Sequence, residues 1–292
     1  MEAAPPSRRG SRPAHLAGAC YPDQAAALRG LLDGLLAQAP RNGSAGDARL
    51  LVAPHVDFAR GGLTYAHAYR GMAGSRADLF VVFGTAHASP PFPFTLTRQD
   101  YDTPLGPVPT DLGLVDRLAA ELGREELLGA EACHREEHSV EFQMVWLRHL
   151  FPGRPIRALP VLCSTVSHLP QRRPAATRFL ASLARATAGR AVCFVAGADL
   201  AHTGPQYGDA APPTRAQLAA LAAEDRRTLA FLEAGDAEGF RLDAERDDAR
   251  RRICGTTPVW AAMRAAGRGA RLLHYHQWSD GTDSVSFAAA AG

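Results

Sequence analysis

Arg49-Leu50-Leu51-Val52-Ala53-Pro54-His55 is a short apolar run closed by a proline and followed at once by a histidine. A continuous apolar stretch of this length, ended by a turn residue, is the pattern of a strand buried on both faces of a parallel sheet. The same grammar recurs in residues 78–83, closed by Gly84 and followed by Thr85-Ala86-His87. It recurs in residues 191–196, followed by Gly197-Ala198-Asp199-Leu200-Ala201-His202. Arg157–Cys163 makes a further buried strand. Helical patterns fall between these runs, at 24–39 behind Pro22, at 62–73, at 111–122 and at 174–188. Another helix starts near His138 and carries Phe142, Val145, Trp146 and Leu150 at helical spacing. Thr214 and Gln217 form a capping box for a helix over 215–234, and helices are expected at 236–248 and 255–266. Residues 92–99 read as a strand and 101–109 as a loop, while 271–278 and 284–290 pair as a hairpin across Ser279-Asp280-Gly281-Thr282. This alternation specifies one α/β domain over residues 13–292, with a mostly parallel or mixed central sheet and helices on both faces. Residues 1–12 are expected to be a disordered tail.

Composition excludes several kinds of chemistry. The chain has 292 residues, 32 of them basic and 30 acidic, and every basic residue is arginine. A coding bias of a GC-rich genome accounts for this, but without lysine there is no Schiff base, no P-loop lysine and no Ser-Lys dyad. A net charge of +2 argues against nucleic-acid binding, which relies on a basic field. The five cysteines are widely spaced and include no CxxC pair, so neither a disulfide framework nor a zinc ribbon is indicated and a reducing cytoplasm is expected. Arg8-Arg9 and the small residues before Cys20 resemble targeting signals but lack the apolar segment these require. No apolar run reaches the roughly 18 residues that span a bilayer.

The histidines carry the functional signal. His55, His87 and His202, with Asp199, each follow a separate expected strand, and in open parallel sheets the carboxyl ends of strands line the ligand crevice. Three such groups converging on one edge point to a metal or acid–base site. Glu136-Glu137-His138-Ser139-Val140-Glu141 places His138 and Glu141 on one helix face; the cluster reads equally as pocket lining or as a helix cap. Cys254 precedes a helix N-terminus, where a thiolate is favoured, to bind metal or to act as nucleophile; the alternative is an inert buried thiol. His15, His67, His149, His168, His274 and His276 lack this context and are assigned structural roles, although His274 and His276 share one strand face.

In this order and at these spacings, Ala53-Pro54-His55, Gly84-Thr85-Ala86-His87, Glu137-His138-Ser139-Val140-Glu141, Asp199-Leu200-Ala201-His202 and Ile253-Cys254-Gly255 resemble the core motifs of the Memo family, also known as protein B of the AmmeMemoRadiSam system. The resemblance runs from His15 to Ala289. It implies a fold similar to class III extradiol (LigB-type) dioxygenases and a metal held by His55, His87 and Cys254. It implies that Asp199 and His202 are pocket residues, and it brings iron, copper and redox activity as the family's associations. It also implies a functional link to a radical SAM protein of the same system. The family often reads Pro-His-Ala-Gly-Tyr where this chain has Pro54-His55-Val56-Asp57-Phe58, which makes Asp57 a candidate partner of His55, a further metal ligand or a helix cap. Gly-Pro-Ser-His becomes Gly84-Thr85-Ala86-His87, and an Arg-His pair becomes Thr256-Thr257.

The leading expectation is therefore a metal-dependent oxidoreductase acting on a small molecule. Fe(II) comes first, and copper or zinc are the alternatives that a thiolate ligand favours. His202 is the acid–base group, Asp199 orients it, and His138, Glu137 and Glu141 line or support the pocket. Two other classes stand beside it: a non-catalytic metal- or peptide-binding protein, and a metal-free hydrolase with Cys254 as nucleophile and His202 as base.

Overall fold

A computed structural model describes residues 10–40, 48–165 and 169–292 of the chain. In chain order the elements are β1 (Ser11–Arg12), α1 (Ala25–Gln38), β2 (Leu50–Ala53), α2 (Phe58–Gly71), β3 (Leu79–Thr85), β4 (Phe94–Leu96), β5 (Asp100–Tyr101), α3 (Leu112–Leu122), α4 (Arg124–Leu128), α5 (His138–Leu150), β6 (Arg157–Cys163), α6 (Arg173–Ala186), β7 (Val192–Gly197), β8 (Asp199–Thr203), α7 (Arg215–Ala234), α8 (Ala237–Glu245), α9 (Asp248–Arg251), α10 (Thr256–Ala266), β9 (Arg271–Ser279) and β10 (Ser284–Ala291). β6, β3, β7 and β2 lie side by side and parallel. β4 adds antiparallel outside β6, and β10 runs antiparallel along β2, β8 and β9. The sheet is mixed, with the parallel half supplied by the continuous apolar runs and the antiparallel half by the C-terminal hairpin.

Each face of the sheet carries its own core. Leu50, Val81, Phe83, Val161 and Phe194 meet α3, α6 and α10 on one side. Leu51, Phe80, Val82 and Val195 meet α1, α2 and α5 on the other. Alternate residues of β2 and β3 thus bury to opposite faces, as pleating requires. The capping box at Thr214 and Gln217 is formed at the start of α7. Among the described residues no helix is long and apolar enough to cross a membrane.

Four local expectations are corrected. β3 runs through Gly84 to Thr85 rather than stopping at Gly84, because the missing side chain lets α5 lie against the strand; a Cβ there would overlap Ser139 and Val140. α2 begins at Phe58, four residues earlier than residue 62, because Asp57 caps it by accepting from the Arg60 N–H. Asp199 and His202, expected only to follow the 191–196 strand, lie on a strand of their own, β8, which leaves β7 at Ala198 and pairs with β10. Ser11–Arg12 is also ordered: β1 pairs with β5, and Arg12 is fully buried. Residues 1–9 of the expected tail lie outside the described residues, as does His168.

Candidate metal centre

Three chain segments meet at the carboxyl ends of the parallel strands. Pro54 ends β2 and delivers His55, β3 delivers His87, and the turn before α10 delivers Cys254. One ligating atom of each lies within 4.8 Å of the other two. His55 is 2% exposed. Its backbone N–H donates to Asp199 Oδ1 (2.9 Å), and its Nδ1 is 3.0 Å from the Gly197 carbonyl oxygen. A carbonyl only accepts, so Nδ1 carries the hydrogen and Nε2 presents a lone pair. That Nε2 lies 3.2 Å from Cys254 Sγ and 3.6 Å from Asp199 Oδ2.

His87 follows the same rule. Its Nδ1 is 3.0 Å from both oxygens of Glu137, and its backbone N–H donates to Glu137 Oε2 (2.9 Å). Glu137 thereby fixes the ring with Nε2 free, an outer-shell carboxylate of the kind that orients metal-binding histidines. The same carboxylate caps α5 through the Ser139 N–H (3.0 Å) and pairs with His138 Nδ1 (3.3 Å). His87, Glu137 and His138 form a second group whose ligating atoms lie within 4.8 Å of one another. The imidazoles of His55, His87 and His138 pack mutually, with ring centroids 4.7 to 5.3 Å apart. His202 repeats the pattern: Nδ1 donates to the Leu200 and Arg252 carbonyls at 2.9 and 3.1 Å, leaving Nε2 open.

The titration behaviour follows from burial in this crowd. Burial, then repulsion from His87, holds His55 down at about 4, and burial with repulsion from His55 holds His138 at about 4. Burial also lowers His202. His87 moves the other way: burial opposes its charge, but the Glu137 hydrogen bond and charge outweigh that and raise it. Burial would raise Glu137, yet the hydrogen bond and charge of His87 hold it well below the usual carboxylate range. Burial raises Asp199. Burial, then the Asp199 charge, pushes the Cys254 thiol well up, against the expectation of a thiolate favoured by the helix N-terminus. α10 starts two residues later, at Thr256, with Gly255 between.

Three roles change with the geometry. Asp57 is the cap of α2 and the ion-pair partner of Arg60 (2.6 Å), so of the readings open to it the helix cap holds. Glu141 does not line the site. It is fully buried, pairs with Arg12, and accepts from Tyr21 Oη and from the Leu16 N–H, tying the N-terminal segment to α5. The imidazole against Cys254 is His55, not His202, so a Cys–His pair here has His55 as its base. Residues without a sequence signal complete the site. Thr85 Oγ1 donates to the Cys254 carbonyl (2.9 Å). Arg252, with φ of 47°, uses its carbonyl on His202 and its guanidinium on the His202 carbonyl (3.2 Å) and Asp209 (2.7 Å). A cavity of about 240 Å³ opens beside His87 and Cys254, walled by Thr85, Arg252, Thr256 and Thr257. Only Thr256 and Thr257 stood out in the sequence, as departures from a motif; Thr85 sits inside the Gly84–His87 motif, and Arg252 sits in an arginine run with no pattern to distinguish it.

Comparison with known proteins converges on one family. A family model described as "Memo-like protein" matches residues 12–291. A MEMO1 family protein of Methanococcoides burtonii is 30% identical over 217 residues, 74% of this chain and 72% of that protein. One from Thermus thermophilus is 33% identical over 224 residues, covering 76% of this chain and 63% of the relative, short of two thirds of its length. One from Pyrococcus furiosus is 26% identical over 287 residues, 94% and 96% of the two chains.

Proposed function

Because this chain belongs to the Memo-like protein family, we propose that it is a metal-dependent oxidoreductase holding non-haem iron on His55, His87 and Cys254 and acting on a small organic molecule. One observation carries the reading: one ring nitrogen each of His55 and His87 and the Cys254 sulfur gather within 4.8 Å, while the Nδ1 of each histidine is already committed to an acceptor. The donor set fits a divalent transition ion. His55 is held neutral and ligand-ready, while His87 and the buried Cys254 thiol give up a proton on coordination. Held by these three donors, a variant of the two-histidine, one-carboxylate set, iron would supply redox chemistry. The thiolate makes copper the second candidate and zinc the third. Five free cysteines among the described residues support a reducing cytoplasm as its location.

The chain's own residues then divide the work. Glu137 orients His87 through Nδ1 and leaves Nε2 free to take an ion. Asp199 holds the backbone of His55 in place. His202, pinned at Nδ1 and uncharged at neutral pH, accepts or returns a proton at Nε2. The cavity walled by Thr85, Arg252, Thr256 and Thr257 takes the substrate.

Anaerobic purification followed by metal analysis tests the site. His55→Ala, His87→Ala and Cys254→Ser should each lower bound iron or copper, and unchanged metal in all three sinks the assignment. His202→Ala should keep the metal and lose turnover; surviving turnover removes His202 as the acid–base group, whereas a metal- or peptide-binding function that needs no turnover would be untouched by the change. One contact favours a second reading, a metal-free hydrolase: the 3.2 Å approach of Cys254 Sγ to His55 Nε2. Activity that survives chelation and dies on thiol alkylation would establish it. Against it, burial pushes the thiol up and the imidazole down, which keeps the proton on sulfur.

A further inference from the structure

Away from the strand ends, α2 lays one face along the C-terminal hairpin. Arg60 stacks on Trp278, Thr64 meets His274, His67 stacks on His274, and Gly71 packs on Leu273. Positions 60, 64, 67 and 71 form a single helical stripe. On β9 the answering residues include His274 and His276, two apart and therefore on one face of the strand. Pairing with β10 slips by one residue opposite Leu273, since Ala289 faces His274 while Ala290 faces Leu272. This bulge turns Leu273 and His274 together toward α2. The rings of His67 and His274 lie 4.3 Å apart and nearly parallel (14°), and the His276 ring follows 6.2 Å beyond. None of the three has a carboxylate partner among the described residues. Grouped histidines with no acid to pair with are ligand chemistry more than ion-pair chemistry.

We propose that His67, His274 and His276 form a second transition-metal site, for zinc or copper(II), separate from the cluster at the strand ends. Three imidazoles from a helix and a facing strand suit these borderline ions. Thr64 Oγ1, 2.9 Å from His274 Nδ1, is the outer partner of this ring, and with the hydroxyl accepting, Nε2 is left to coordinate. Burial and the neighbouring imidazoles hold His274 down at about 4, and burial lowers His67, so both stand neutral at physiological pH. Closing the three nitrogens on one ion requires a rotamer change of His276, which is exposed and would leave its contact with Phe287 (5.5 Å).

Zinc titration by calorimetry tests the proposal in a Cys254→Ser, His55→Ala, His87→Ala background, where neither group at the strand ends keeps three ligands. One ion should bind with Kd below roughly 10 µM. His67→Ala or His276→Ala should weaken it about tenfold or more, and Thr64→Val about tenfold. If that background fails to fold by circular dichroism, wild-type protein serves instead: its zinc stoichiometry should fall by one in His276→Ala, whose side chain is exposed. Absence of an ion at this affinity, or an ion indifferent to His67→Ala and His276→Ala, overturns the site. Because the readout bypasses Cys254 and His55, its failure is distinguishable from failure of the iron reading.

Discussion

Glu137→Gln is the most informative single change, because Glu137 both caps α5 and orients His87. Its two oxygens serve different donors: Oε2 takes the His87 N–H (2.9 Å) and Oε1 the Ser139 N–H (3.0 Å), while both lie 3.0 Å from His87 Nδ1. Glutamine keeps the shape but has one oxygen. Whichever way the amide turns, one backbone N–H faces an NH₂, in a side chain only 5% exposed. An unsatisfied buried donor costs about 1–3 kcal/mol, which should appear in metal-free protein as a lower melting temperature. The charge that holds Nδ1–H of His87 is also lost. Removing such an outer-shell partner lowers metal affinity about 10–100-fold, or about 1.4–2.7 kcal/mol. The His87 side chain is 43% exposed, and solvent screening puts the effect at the lower end, about tenfold. Competition against a chromophoric chelator near neutral pH measures the affinity, and a thermal melt of metal-free protein measures the cap separately. If affinity stays within about twofold while the melt falls, Glu137 is only a helix cap and the orienting role is wrong.

Three further outcomes follow from the same geometry. His134 is completely buried, with Nε2 on the Thr95 carbonyl (3.0 Å) and Nδ1 on Tyr101 Oη (2.8 Å), and burial holds it at about 4 against 6.5 in the unfolded chain. The unfolded chain therefore takes the proton first as pH falls; the contribution is full above about pH 6.5 and lost as pH drops toward 4, about 3 kcal/mol in all. Denaturant titrations across that window should show a steeper loss for wild type than for His134→Gln, and parallel profiles refute the assignment. Arg12→Met leaves the fully buried Glu141 carboxylate short of its cation, so it should lose about 3–5 kcal/mol in denaturant unfolding; a loss below about 1 kcal/mol means the N-terminal segment is not anchored there. Gly197→Ala places a Cβ against the Ser139 carbonyl on the first turn of α5. It should cost about 1–3 kcal/mol and weaken metal binding by shifting Glu137, and an unperturbed melt shows that α5 is not seated on β7.

The parallel half of the sheet was readable because it is written in continuous apolar runs, and the Arg157–Cys163 and Arg215–Ala234 elements match the pattern residue for residue. β8 was not readable. Asp199-Leu200-Ala201-His202-Thr203 has polar ends and a short middle, and it becomes a strand only because β10 pairs with it. Arg12 shows the same limit, since a lone arginine beside a proline carries no sign that Glu141, 129 positions on, waits in the core. His134 carried no signal either. It lies in a short 3₁₀ turn, and its burial is set by Tyr101 and Thr95 from other segments.

By itself the sequence determined an α/β chain whose apolar runs end in His55 and His87, and it marked Cys254 ahead of a helix, because runs, punctuation and caps are local properties. Which acceptor each ring leans on was decided by tertiary structure alone: Gly197 for His55 across 142 positions, Glu137 for His87 across 50, Arg252 for His202 across another 50. The structure likewise sent Asp57 to a helix cap, Glu141 to Arg12, and His67 against His274. The physical reason is the range of the interaction. A strand or a cap is chosen among near neighbours, whereas the proton on a particular ring nitrogen is placed by whatever distant atom the packing brings within 3 Å.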